Sequence, residues 1–129
     1  MPIPNYVLPV VNGATGDEDT ELTYHEPDFT LGNTNGFLAT KPTELRVRND
    51  ADGGQDVTCR IKQVRVCSAG GAIGLHDWVK VVPAGESREF GFFDHLLYRD
   101  LDGYIHFVIT TDVVGFETAK VGVIAVRKV

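Results

Sequence analysis

The chain has 129 residues, an apolar fraction of 43% and a formal net charge of −6, which bounds it to one ordinary globular domain with a real core. No run of about 18 apolar residues is present to span a bilayer, and no clustered basic footprint is present to bind nucleic acid. Membrane and nucleic-acid partners are therefore not expected. The start, "MPIPNYVLPVVNG", lacks the basic n-region and long apolar centre of a secretory signal.

Residues 1–40 hold Asp17, Glu18, Asp19, Glu21, Glu26 and Asp28 without a single Lys or Arg. Pro2, Pro4, Pro9 and Pro27, several Gly and Asn, and the tract "TGDEDTELTYHEPDF" favour extended chain over a packed element. Tyr6, Leu8 and Val10 are nonetheless too apolar for a permanently solvated tail. The expectation is an extended acidic arm over 1–40, docked on its own body or on a neighbour, and a body over 41–129.

From Thr43 the period becomes that of strands. "ELRVRN" sets Leu45 and Val47 on one face and Glu44, Arg46 and Arg48 on the other; "DVTCRIKQ" sets Val57, Cys59 and Ile61 against Thr58, Arg60 and Lys62. The intervening "NDADGGQD" is rich in turn formers and predicts a hairpin. Arg46, Arg48, Arg60, Lys62 and Arg65 would then share the hairpin and its extension, readable as a solvated face or as a contact surface. If "VTCRIKQVRVC" runs on as one strand, Cys59 and Cys67 lie about 26 Å apart, beyond the ~7 Å that a disulfide allows. Free thiols follow, in keeping with a reducing compartment; no CxxC spacing points to zinc.

"CSAGGAIG" reads as a loop. "DWVKVV" and "ESREFG" flank "PAG", where Pro83 sets φ and Gly85 can take a positive one, predicting a second hairpin. In "FFDHLLYRDLDG" a single helical or 3₁₀ turn would gather Phe93, Leu96 and Leu97. "YIHFVIT" alternates again, and the closing "KVGVIAVRKV" is apolar on both faces, which suits the centre of a sandwich or a strand under a neighbouring subunit. Val121 and Val123 are candidates for such a contact. The fold expectation is all-β: a single antiparallel β-sandwich or jelly roll with an extended N-terminal arm.

Catalytic chemistry finds little support. His76-Asp77 and Asp94-His95 are sequence neighbours, and neighbours on a strand face opposite sides. Ser68 and Ser87 are the only serines and neither sits in a nucleophile-elbow motif. Asp50, Asp52 and Asp56 mimic a calcium loop, but its twelfth position is Ile61. Trp78, Tyr98 and Tyr104 could build a sugar platform or simply pack across strands. No catalytic, cofactor or metal site is expected.

The succession "LRVRND", "DVTCRI", "VPAGESREFGFF", "LYRDLDGYIHF", "VGVIAVRKV" resembles the capsid decoration, or cement, proteins of tailed bacteriophages. These are small β-sandwich or jelly-roll subunits of the outer head surface. The resemblance covers about residues 36–129, leaves the arm uncovered, and departs at Phe92-Phe93, where the family pattern favours Pro, and in the longer "RVCSAGGAIGLHDW". It implies a virion protein assembled in the host cytoplasm that binds the major capsid protein and stabilises its lattice without catalysis. A homotrimer suits that role. Tyr6, Leu8, Val10, Arg46, Arg48, Arg60, Lys62, Val121 and Val123 are the expected interface residues. Alternatives are a virion-associated module for host glycans, a head-tail or tail component, or a hydrolase using one His-Asp pair.

Overall fold

A computed structural model describes residues 3–12, 24–30, 32–39, 42–51, 55–63, 77–92, 98–111 and 120–127. Among them the regular structure is strand: β1 (Tyr6–Val7), β2 (Val10–Asn12), β3 (Asn35–Leu38), β4 (Thr43–Asn49), β5 (Val57–Ile61), β6 (Trp78–Val82), β7 (Ser87–Phe92), β8 (Tyr104–Thr110) and β9 (Val121–Arg127). The first sheet has the order β1-β3-β8-β5-β6 and the second the order β2-β9-β4-β7. Both enclose one core, the first contributing Phe37, Val57, Cys59, Ile61, Val82, Ile105, Phe107 and Ile109, the second Leu45, Val47, Phe90, Val121, Val123 and Ala125. The all-β, two-layer expectation holds.

The strand directions require a correction. β1 runs parallel to β3 and β2 parallel to β9, while the other ladders are antiparallel. The sheets are thus mixed rather than antiparallel. Both parallel pairs come from residues 6–12, a strap that leaves the edge of one sheet and joins the edge of the other. Tyr6 N donates to Thr34 O at 3.2 Å and Leu8 N to Gly36 O at 2.7 Å; Val10, Val11 and Asn12 then lie beside Ala125, Val126 and Arg127. Leu8, between the two ladders, is 1% exposed. The described part of the segment expected as an arm lies on the chain's own body.

Both predicted hairpins are also corrected. β4 and β5 belong to different sheets, as do β6 and β7. Each connection is therefore an arch across the core, and both are pinned by Asn49, which is fully buried. Its Nδ2 donates to Gln55 O at 2.8 Å and Val82 O at 3.0 Å, and its Oδ1 accepts from Ala51 N at 3.0 Å. Its main chain reaches the Pro83-Ala84-Gly85 corner, donating to Glu86 O at 3.0 Å and accepting from Gly85 N at 2.7 Å. Within the corner, Glu86 N donates to Pro83 O at 3.0 Å, and Gly85 takes φ = 79°, the conformation of a type II turn. The pairing that does form locally in the fold, β5 with β6 from Val57↔Val82 to Ile61↔Trp78, spans the segment 62–77.

β9 is buried from Val121 to Val126, as its two-sided apolar run predicts. Its inner residues Val121, Val123 and Ala125 join the core. On its outer side Ile124 and Val126 are 1% and 6% exposed. A side chain at Gly122 would collide with Tyr24, whose Cβ lies 2.7 Å from where the added carbon would be. Glycine lets that ring lie across the strand, while His25 pairs with Val123 through main-chain bonds of 2.8 Å in both directions.

Candidate functional site

The four expected basic contacts divide between opposite faces of the molecule. Because β4 and β5 lie in different sheets, Arg46 and Arg48 project from the second sheet, Arg60 and Lys62 from the first. They do not form one surface. Arg46 pairs with Glu44 and lies 3.8 Å from Glu89; Arg48 pairs with Asp50 at 2.9 Å and stacks on Tyr24 with its guanidinium carbon 4.1 Å from the ring centroid. That ion pair also engages one member of the calcium-like loop, Asp50. Asp56 is an exposed neighbour of β5, and Asp52 lies outside the described residues.

Leu8, Val121 and Val123 are 1%, 1% and 0% exposed. Folded into the chain's own core, they cannot also present a face to a partner. Tyr6 and Val10 are partly buried against the same core. The apolar signal in the first ten residues was real, but its recipient is this chain.

Of the His-Asp neighbours, His76, Asp94 and His95 lie outside the described residues. Asp77 is structural: its carboxylate accepts from Lys62 Nζ and Gln63 N, both at 3.0 Å, with Arg60 Nη1 at 3.6 Å. Burial pushes its pKa upward, but those donors and charges together hold it below the ordinary value. Trp78 meets Phe90 edge to face at 5.1 Å and Tyr98 at 6.1 Å, on the inner side of the first sheet. Tyr104 points outward from β8, so the three aromatic residues build no common platform. Lys80 already covers the Trp78 and Phe90 rings, 5.5 and 5.2 Å from their centroids, and donates to Glu89 O at 2.6 Å.

A pair not anticipated from spacing is Asp100 with His106, whose side chains are 3% and 2% exposed and 2.7 Å apart. Asp100 Oδ1 accepts from Asp102 N and Tyr104 N at 2.9 Å each, and Oδ2 from His106 Nε2. Desolvation raises the carboxyl pKa, and the His106 bond and the two amides overcome it, so the group is lowered overall and stays an acceptor. Its signal in the sequence was "DLDGY", an aspartate closing its own turn, with a histidine two positions into the next strand. Enclosed on all sides, the pair anchors the 98–103 turn to the sheet and has no access for a substrate. No group of three or more His, Cys, Asp or Glu fit to hold a metal occurs among the described residues. Cys59 is a fully buried thiol whose pKa burial drives up, and Cys67 lies outside the described residues.

What remains distinctive is a difference between the two outer faces. On the first sheet, Val79 and Val81 are 40% and 49% exposed; Val79 lies opposite Arg60 and then Val108, and Val81 opposite Thr58 and then Thr110. Val7 and Leu38 also project from this sheet, and Leu101, 92% exposed, crowns the turn that Asp100 folds over it. On the second sheet the outward rows are Glu89-Arg46-Ile124 and Ser87-Arg48-Gly122, charged or already covered. No protein-family model, no curated protein and no solved structure matches this chain.

Proposed function

We propose that the chain is a bacteriophage capsid decoration protein, which binds the outer head surface and stabilises the shell by bridging major capsid proteins. The observation that carries this reading is the strand arrangement. From β2 to β9 the chain visits second, first, second, first, first, second, first and second sheet, giving the orders β2-β9-β4-β7 and β3-β8-β5-β6. That order supports a jelly roll, an architecture recurrent in viral capsid domains, here with β2 reversed and β1 added. Its polar clusters (Asn49, Asp77, Asp100-His106) hold arches and turns together, so the reading places the work on the outer surface. Binding that exists only in the assembled shell stabilises that shell by linkage, and repetition over many equivalent positions multiplies modest affinities. A homotrimer, placing three copies around a local symmetry axis, fits this role.

The test uses DNA-filled heads that lack this decoration, from a tailed phage that encodes the chain. Purified protein should add to them saturably, raise the temperature at which they release DNA, and sediment alone as a trimer. Heads that take up none of it, or gain no heat resistance at saturation, overturn the reading.

A further inference from the structure

We infer that the protein sits on its partner through the outer face of the first sheet, with Val79, Val81 and Val108 grouped around Arg60, and that the second sheet faces solvent. This rests on the decoration reading and adds to it the orientation of the subunit and the chemistry of the contact. The occupant is the shell protein, offering an apolar patch with a carboxylate opposite Arg60.

Three observations lead there. Val79 and Val81 are exposed on β6, and the half-buried Val108 stands on β8, two strands away, with Arg60 of β5 in the row between Val79 and Val108. A β-branched patch facing water gains by being covered, and among the described residues the second sheet has no exposed apolar patch like it. Next, Arg60 is under-engaged: its ion pair to Asp77 is 3.6 Å long, and that carboxylate is already bound at 3.0 Å by both Lys62 and Gln63 N. A half-exposed guanidinium set among valines is placed to take a carboxylate in a forked pair. Finally, the face and not the strand edge is the accessible element. Lys80 points inward from β6 and bonds Glu89 O of β7, closing the gap between the two edge strands. Such an inward lysine discourages strand addition at an edge. A second copy related by a twofold axis is the poorer occupant, because that axis brings Arg60 against Arg60; a copy meeting the patch in a trimer is an outcome of the sedimentation test.

Full-length Val81→Asp and Arg60→Glu, and Glu89→Arg on the opposite sheet as the comparison, are to be titrated onto the same undecorated heads. Thermal melting first establishes that each is folded. We expect Val81→Asp and Arg60→Glu each to weaken addition at least tenfold, and Glu89→Arg to leave it within about twofold. The inference is overturned if Glu89→Arg abolishes addition while the other two bind normally, or if all three bind like wild type. It is also overturned if sedimentation shows a wild-type oligomer that Val81→Asp and Arg60→Glu dissolve, which would make the patch a contact between copies. If wild-type protein itself fails to add, the decoration reading falls and takes this orientation with it. Loss confined to the face variants leaves both standing.

Discussion

Asp100 organises its surroundings through both carboxylate oxygens. One oxygen closes a turn by accepting two amides, and the other accepts from a histidine on the strand that follows. Because the acceptor is ionised, His106 Nε2 must be the donor, which fixes how the ring is protonated at that nitrogen. Folding lowers the carboxyl pKa below its ordinary 3.8. Its contribution to stability is therefore complete above that ordinary value and disappears as the pH falls through the lower, folded one. Asp100→Asn keeps the shape, forfeits the charge and puts an amide NH₂ where an acceptor stood. We expect it to cost about 1–3 kcal/mol at pH 7, measured by urea unfolding. The gap from wild type should narrow as both are acidified below pH 3.8. A gap that stays constant down to pH 2 would show that the charge of Asp100 contributes nothing.

At the level of the elements, the arches decide the fold, and a single asparagine decides the arches. The fully buried Asn49 satisfies Gln55 O, Val82 O and Ala51 N. Asn49→Ala strands those groups, and we expect a loss on the order of 3 kcal/mol in the midpoint of thermal or urea unfolding. A loss under 1 kcal/mol would mean that the arches hold without it. The strands themselves were legible, since alternation located β4, β5 and β8 and two-sided apolarity located β9. Their partners were not. A hairpin and an arch use the same Asn, Asp, Pro and Gly, and in both the flanking strands bury one face. Nothing local distinguishes "VPAGE" turning within a sheet from "VPAGE" turning between sheets. β6 shows a second limit, because polarity alone would send Lys80 outward and Val79 and Val81 inward. The structure does the reverse: Trp78 and Val82 share the inner face with Lys80, whose stem crosses two aromatic rings before its amine meets a carbonyl. The exposed valine patch was invisible for that reason. The grouping of Arg46 and Arg48 with Arg60 and Lys62 was likewise an artefact of assuming a hairpin between β4 and β5, and Arg65, grouped with them, lies outside the described residues.

Considered as a whole molecule, a two-layer sandwich has two long openings where the sheet edges meet, and this chain closes each differently. On the β6-β7 side the closure is polar and aromatic, Lys80 over Trp78 and Phe90. On the β3-β9 side it is the strap, which hydrogen-bonds first to one sheet and then to the other and drops Leu8 between them. Two short parallel ladders of two and three residues cannot hold the strap in place unaided, given about 1–2 kcal/mol of backbone entropy for each residue fixed. Burial of Leu8 must supply much of the remainder. Leu8→Ala should therefore lower global stability by about 2–5 kcal/mol. It should also loosen the strap selectively, so that hydrogen exchange at Tyr6 and Leu8 accelerates far more than at Leu45 or Val47 of β4. If stability falls by that amount while strap and β4 amides accelerate together, the strap is an ordinary part of one cooperative core. If it falls by less than 1 kcal/mol, the strap is not what closes that side of the sandwich.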